Sequence, residues 1–552
     1  MEILDIKNLS FTYPEEKKCA IENINLKVAR GEFIVVCGHS GCGKTTLFKL
    51  IKSEIAPLGK KEGKILFCGT DIEELSEKDK AAKIGFVNQN PEAQIVTDRV
   101  YHELSFGLEN LGKSSDEIKL RIAEMASYFG ISDSFNKKTA HLSGGQKQLV
   151  SLASVMAMSP ELLILDEPTS QLDPIAASDF IATLQKINRE LGTTVIISEH
   201  RLEELFPIAD KIAVMEKGKL LIFDTPKNVC EKISDENIML SFPTATRIWN
   251  ALGKTGECPL DVRGGREFLM KNFSPKSVIR QESTAMEKET VLSIRDVFFR
   301  YDKNGKDILK GVNLDVSKGE FFCLLGGNGA GKTTLLKILS GTEKPYRGKI
   351  KIFGKSIEKY SLEELHRKNT ALLPQNVADI FIKSKIKDDL YDICARFYGD
   401  KKKTEEKIDA VCQNLGIASL LEKHPYDISC GEMQKCAIAK LLLTEPRILF
   451  LDEPTKALDS AAKKDFSKII NNLKSNGVTI VAVTHDVEFA AENADRCALF
   501  FEGEVISPSK TEKFFSANDF YTTAASRIAR GIFDGAVTAK DIIDAGKCEK
   551  IE

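Results

Sequence analysis

The stretch Gly38-His39-Ser40-Gly41-Cys42-Gly43-Lys44-Thr45 has the form G-x-x-x-x-G-K-T. Before it, Phe33-Ile34-Val35-Val36-Cys37 is an unbroken apolar run and predicts a buried strand. After it, Thr46-Leu47-Phe48-Lys49-Leu50-Ile51 predicts the start of a helix. Glycines let a backbone turn tightly and bring its N–H groups against phosphate oxygens. A helix N-terminus adds partial positive charge, Lys44 a full one, and the Thr45 hydroxyl suits Mg²⁺. Gly38, Ser40, Gly41, Gly43, Lys44, Thr45 and Thr46 therefore form a candidate phosphate cradle. The same device recurs after Phe321-Phe322-Cys323-Leu324-Leu325, as Gly326, Asn328, Gly329, Gly331, Lys332, Thr333 and Thr334.

Outward from the first cradle, residues 3–9 and Ile21 to Val28 predict strands, with Tyr13 between them. A lone early aromatic is usually core, but Tyr301 holds the same place before the second cradle, which favours stacking of both on an adenine. Lys83 to Gln89 predicts a strand ending in an amide that can reach Mg²⁺ or a water. Ser143-Gly144-Gly145 opens an apolar helix and is a second anion-facing turn. A domain holding one nucleotide does not need two, so the second turn is expected to serve a nucleotide held elsewhere. Glu161 to Pro168 predicts a buried strand ending in Asp166 and Glu167. Alternation along a strand would let Asp166 hold metal while Glu167 faces a water as general base. Thr193 to His200 predicts another buried strand, delivering His200 to the same edge.

The second half replays this order with Gln375, Ser429-Cys430-Gly431, Asp452, Glu453 and His485, at near-constant offsets of 285 to 288 residues. Two copies of one domain, 1–273 and 291–552, follow, joined by the polar, aperiodic linker 274–290.

Bulk composition agrees. A chain of 552 residues is too long for one core, and its 42% hydrophobic and 29% charged content is ordinary for a globular protein. A formal net charge of −2 offers no basic field for nucleic acid. No apolar run approaches the ~18 residues of a spanning helix, and Met1-Glu2-Ile3-Leu4-Asp5 is unlike a signal peptide, so a cytosolic protein is expected. The thirteen cysteines form no C-x-x-C pair and are expected as buried thiols rather than metal ligands.

With these motifs in order, the chain resembles a duplicated nucleotide-binding subunit of the ABC ATPase family. The resemblance implies an α/β fold of two tandem P-loop ATPase domains, each a mixed β core with a helical subdomain, binding ATP and Mg²⁺. It also implies that the halves pair head to tail. Site one would combine Tyr13, Lys44, Thr45, Gln89, Asp166, Glu167 and His200 with Ser429 and Gly431. Site two would combine Tyr301, Lys332, Thr333, Gln375, Asp452, Glu453 and His485 with Ser143, Gly144 and Gly145. By the same resemblance Glu167, Glu453, His200 and His485 are catalytic, and Thr45, Gln89, Asp166, Thr333, Gln375 and Asp452 hold the metal.

A narrower match follows Gln89. Asn90-Pro91-Glu92-Ala93-Gln94 and then Glu103-Leu104-Ser105-Phe106-Gly107 are similar to the energy-coupling-factor importer ATPases. That likeness implies uptake of a vitamin or metal ion, with a transmembrane scaffold protein and a small substrate-binding membrane protein as partners, at the cytoplasmic face of the membrane. The second half departs from it: Gln375-Asn376-Val377-Ala378-Asp379 lacks the Pro and the second Gln. Cys430, in place of a glycine, is expected to crowd site one and slow it. A sugar-importer ATPase is disfavoured by the intact second cradle and the Asn90-Pro91 run. A soluble twin ATPase on ribosomes or nucleic acid lacks its basic insert or cysteine cluster.

Overall fold

A computed structural model describes residues 2–14, 16–278, 289–398 and 400–549. They form two compact units, Met1–Gly265 and Arg266–Glu552. In unit one the strand Phe33–Cys37 is buried along its whole length, as are Leu162–Asp166 and Thr194–Ser198. Strands apolar on both faces need cover on both faces, which a parallel sheet between other layers supplies. They lie in a six-stranded sheet of spatial order Lys219–Asp224, Lys211–Glu216, Phe33–Cys37, Thr194–Ser198, Leu162–Asp166, Ile84–Val87, parallel except at the first strand. A second, antiparallel sheet of Ile21–Ala29, Glu2–Thr12, Lys60–Phe67 and Thr70–Asp71 alternates buried and exposed positions along Ile21–Ala29, because only one face meets the core. Three helices, Val100–Asn110, Ser115–Tyr128 and Gly144–Ala157, pack together as a helical subdomain.

Unit two repeats the plan. Its parallel core runs Thr370–Leu373, Ile448–Asp452, Thr479–Thr484, Phe321–Leu325, Arg496–Phe501, with Glu504–Lys510 antiparallel at the edge. Its helical subdomain is Ile386–Tyr398, Lys401–Leu415 and Cys430–Leu442.

Register places the chemistry. Asp166 lies opposite Ser198, and Val36 lies opposite Ser198 on the other side. Gly38, Glu167 and His200 therefore all leave the sheet at one carboxyl edge, where parallel α/β sheets bind ligands.

The chain between the repeats is only partly described. Residues 279–288 of the expected linker lie outside the described residues. Its start is not loose: Lys276–Ser277 pairs in parallel with Phe533–Asp534. Phe268, Leu269 and Phe273 are buried, with the Phe273 and Phe533 rings 5.7 Å apart. The first unit accordingly ends at Gly265, short of the repeat boundary read at 273.

Nine of the thirteen cysteines are buried, Cys68 is half-buried, and Cys19, Cys430 and Cys548 are exposed. Among the described residues no helix is long and apolar enough to cross a membrane.

Candidate nucleotide site

The glycines of the cradles answer to specific crowding. A Cβ on Gly38 would stand 2.1 Å from the Met215 carbonyl oxygen, and one on Gly326 would stand 2.4 Å from that of Phe500. Gly43 and Gly331 cap the cradle helices Lys44–Ile51 and Lys332–Leu339 at φ 104°, a left-handed conformation that costs other residues strain. The loop so formed closes around its own lysine. Lys44 Nζ donates to the carbonyls of Gly38 (2.8 Å) and His39 (3.3 Å), and Lys332 Nζ to those of Gly326 (2.8 Å) and Gly327 (2.9 Å). Each ammonium also lies 3.7 Å from a carboxylate, Glu167 for Lys44 and Glu453 for Lys332. Two buried cations are thus held ready where a triphosphate would displace the carbonyls.

Thr45 and Ser198 hydroxyls both bond the Asp166 carboxylate, Ser198 at 2.8 Å. Thr333 Oγ1 donates to Asp452 at 3.1 Å, but Val483 stands opposite Asp452 where Ser198 stands opposite Asp166. Burial pushes the Asp166 carboxyl above its ordinary value, against the pull of Thr45 and Ser198. Asp452 is pushed up to about 6, first by burial, with the Thr333 hydroxyl opposing and the Glu453 charge adding. A hydroxyl beside a carboxylate whose charge is costly is a hard-oxygen seat that a divalent cation would relieve, so Thr45 with Asp166 and Thr333 with Asp452 fit Mg²⁺.

That cost is measurable without metal. The folded pKa of Asp452 is raised, so its contribution to stability is full below 3.8 and is lost as pH rises through about 6. Above that window the buried charge costs up to about 3 kcal/mol. Asp452→Asn is expected to melt higher than the parent in chelator at pH 8, with the gap closing toward pH 4. A gap independent of pH would contradict the burial of this carboxylate.

The two adjacent acids are not separated by strand alternation, as the sequence suggested. The strands stop at Asp166 and Asp452, and Glu167 and Glu453 follow in the left-handed region at φ 45° and 48°. Strained backbone of this kind persists only where surroundings hold it, and it concentrates at functional sites. The turn brings Glu167 under three groups: Gln89 Nε2 donates to it at 3.0 Å, His200 Nε2 lies at 2.9 Å, and Lys44 stands beyond. Glu453 takes Thr484 Oγ1 (3.1 Å), the His485 N–H (3.2 Å) and His485 Nδ1 (2.8 Å). Burial raises both glutamates, but the histidine and lysine together outweigh it and hold each carboxyl below its ordinary value. Both are thus charged at neutral pH, as a general base must be.

His200 lies two residues past its strand, which ends at Ser198, and the two histidines use different ring nitrogens toward their glutamates. Gln375, expected to match Gln89, is exposed. Tyr13 and Tyr301 sit over the cradle helices, their hydroxyls 3.0 and 3.1 Å from those of Thr46 and Thr334, and their edges on Phe11 and Phe299. Ser40 and Asn328 are exposed on the cradle tips.

Ser143 and Ser429 each begin a helix in a capping box, with Gln146 and Glu432 as reciprocal partners. A Cβ built on Gly144 meets nothing within 4 Å, so Cys430 is accommodated at the equivalent, exposed place. On Gly431 it would meet Ala462 at 3.0 Å, tight enough to favour glycine there, whereas on Gly145 it would meet Ala176 at an ordinary 3.5 Å.

Sequence reasoning missed Ser198 and Glu199. Glu199 is fully buried, accepts from Thr169 N at 2.7 Å and from His200 N at 3.3 Å, and is pushed up by burial. It ties the loop after Glu167 to the histidine strand, a task Asp486 takes for Thr455 (3.0 Å) in unit two. Parity along Thr194–Ser198 was the available signal, since a residue opposite Asp166 shares its surroundings.

The loop after Gln89 is built by its own motif. Asn90 caps a short turn by accepting from Glu92 N, and Pro91 opens it. Gln94 then reaches back, accepting from Asn88 N at 2.8 Å and donating to Phe86 O at 3.1 Å. Glu103 fixes the next segment by accepting from the N–H groups of Val96 (3.1 Å) and Thr97 (2.9 Å). From the helix that Ser143 opens, Gln148 Nε2 donates to Asn88 O at 3.2 Å and Lys147 pairs with Glu92. In unit two Asp389 plays Glu103's part toward Ile382 and Lys383, backed by buried Lys440 at 2.6 Å.

A caged ammonium over a glycine turn, with a metal seat two strands away and a charged base beside it, defines a P-loop nucleoside-triphosphatase, and the fold carries it twice. Comparison with known proteins narrows the class. Residues 21–170 and 309–456 match the ABC transporter family model. A protein of Bacillus thuringiensis subsp. konkukian with the provisional designation ABC transporter ATP-binding protein is 41% identical over 546 residues, covering 98% of each chain. One of Bacillus anthracis, so designated too, is 40% identical over 549 residues and covers 98% of each. A Methanosarcina mazei protein of that designation is 31% identical over 536 residues, 93% of this chain and 90% of its own. Among solved structures, CbiO1 of Clostridium perfringens, described as part of the ABC transporter complex cbiONQ, is 35% identical and covers 42% of this chain and 91% of its own, at a TM-score of 0.39. The chain belongs to the ABC transporter family and carries two of its ATPase domains in tandem.

Proposed function

We propose that the chain is the ATP-hydrolysing subunit of an energy-coupling-factor importer for a vitamin or metal ion. It would bind peripherally at the cytoplasmic face of the membrane, to a transmembrane scaffold protein and a small substrate-binding membrane protein. The observation that carries this reading is the loop after Gln89. Asn90, Pro91, Gln94 and Glu103 make a rigid platform that leaves Val96 and Phe106 64% and 45% exposed. Exposed apolar groups on a hydrogen-bonded loop and the helix that follows it, Val96 on the first and Phe106 on the second, suit a partner surface. Gln148 and Lys147 give that platform a hydrogen-bonded route to the Ser143 turn, and Gln89 gives it one to Glu167.

In this reading the two halves pair within the chain, each lending its serine–glycine turn to the other's triphosphate, which answers why each unit has two anion-facing helix starts. ATP binding closes the pair, and hydrolysis with product release opens it. Tagged chain extracted from its native membranes is expected to bring down two small integral proteins. Val96→Asp with Phe106→Asp should lose them while ATP turnover by the isolated chain stays within about twofold, since surface changes away from a site perturb little. Recovery only with ribosomes or nucleic acid would overturn the reading.

A further inference from the structure

We propose that a cavity in unit one, at the amino edge of its parallel strands, binds a small carboxylic acid with an apolar body, which splints the helical subdomain to the sheet. The cavity has a volume of about 340 Å³, within the range of small-molecule sites. One wall is the helix Ser115–Tyr128, with Met156 near the end of Gly144–Ala157. The other is the end of the helix Pro174–Leu191, with Glu161 and Thr194 where two core strands begin. Glu167 and His200 follow those strands at the opposite edge, so this space is separate from the nucleotide site.

The lining asks two things of an occupant. Met125, Phe129, Met156 and Ile187 call for an apolar body. The Tyr128 hydroxyl oxygen is shut off from solvent and has no hydrogen-bond partner among the described residues. Such a group is costly to leave unmade, and an acceptor entering the cavity would relieve it. The carboxylates around it are already neutralised. Glu161 pairs with Arg30 at 2.6 Å and Glu124 with Arg121 at 2.7 Å, while Lys186, 4.5 Å from the centre of the Tyr128 ring, pairs with Glu190 at 3.9 Å. Glu124 takes only Nη1 of Arg121, and a guanidinium carries five donors.

Unit two supplies an acid from its own chain. At the repeat offset of 286 residues, Arg121, Tyr128 and Ser159 correspond to Lys407, Asn414 and Glu445. Ser159 and Glu445 share a left-handed backbone, at φ 56° and 52°. Lys407 pairs with Glu445, which ties the helix Lys401–Leu415 to the loop before the strand Ile448–Asp452. In unit one the serine brings no carboxylate to that place. A ligand carboxylate between Arg121 and the Tyr128 hydroxyl stands in for Glu445, with its apolar part filling the space behind.

The test is calorimetric titration of the full chain, without nucleotide, using sodium decanoate and decanol as probes. Decanoate is expected to bind once per chain, and decanol, which lacks the charge, at least about tenfold more weakly. Ser159→Glu restores unit two's carboxylate on a backbone that already carries glutamate there, and is expected to weaken decanoate at least about tenfold. Tyr128→Phe keeps the ring, loses the hydroxyl, and is expected to weaken it about fivefold. Absence of saturable decanoate binding, decanol as tight as decanoate, or either variant binding like the parent would each overturn the proposal. Should Ser159→Glu misfold by circular dichroism, Arg121→Ala, whose side chain is 39% exposed, replaces it with the same expectation.

Discussion

Glu453→Gln is expected to lower steady-state ATP turnover of the full chain by about 10²-fold or more at its own site, because general-base contributions run about 10²–10⁴-fold. The structure supplies the reason. Glu453 is held charged by His485 and Lys332 against its burial, and its backbone is bent into a left-handed turn to put the carboxylate there. A glutamine keeps the volume and some of the hydrogen bonds but cannot take a proton from water. Thr484 Oγ1 and the His485 N–H both give to one oxygen of Glu453, so the amide oxygen can take that place while its N–H₂ faces the Lys332 side. Glu167→Gln meets a different setting, since Gln89 and His200 lie against different oxygens of Glu167 and an amide N–H₂ must face one of them. If the halves pair as proposed, Glu167 works opposite Cys430 and its site is the slower, so Glu167→Gln removes the smaller share of turnover. Phosphate release by each variant separates the two, and an undiminished Glu453→Gln rate would refute a working second site.

Much of this was legible because the chain says it twice. The cradles, the acid pairs and the histidines each have a partner about 286 residues on, and repetition turned weak single residues such as Tyr13 into strong ones. Continuous apolar runs identified the parallel core, since Phe33–Cys37 and Ile448–Asp452 have no polar alternation to confuse. What escaped lay in geometry that residue types do not encode. Glu167 looks like the next strand position, and only its left-handed φ shows the strand has ended. Gln375 looks like Gln89, yet without the Pro91 and Gln94 clamp its loop leaves it exposed. The stretch 274–290 reads as linker because it is polar, but two of its residues find a strand near the far end of the chain. Long-range pairing of short segments leaves no periodic trace to read.

Lys44→Ala and Lys332→Ala are expected to cost their sites at least as much as the glutamate changes, and through binding as well as turnover. Each ammonium is almost wholly buried, at 4% and 6% exposure, and bonds two carbonyls of its own loop. Alanine removes the charge that would meet the triphosphate, a contact worth about 3–4 kcal/mol or about 10²–10³ in rate. It does two further things. The loop carbonyls lose their donor, so the turn loses the grip that pre-forms it. The glutamate loses the cation that helped hold its pKa down against burial, so Glu167 or Glu453 shifts upward toward neutrality and weakens as a base near pH 7. Arginine would not rescue either site, because a planar guanidinium does not fit a cage shaped for a point charge. Mant-ATP titration and phosphate release on both single variants and on the double variant measure all three effects together. The double variant should show neither saturable binding nor turnover above background, whereas wild-type turnover in it would take the phosphate-binding role away from both lysines.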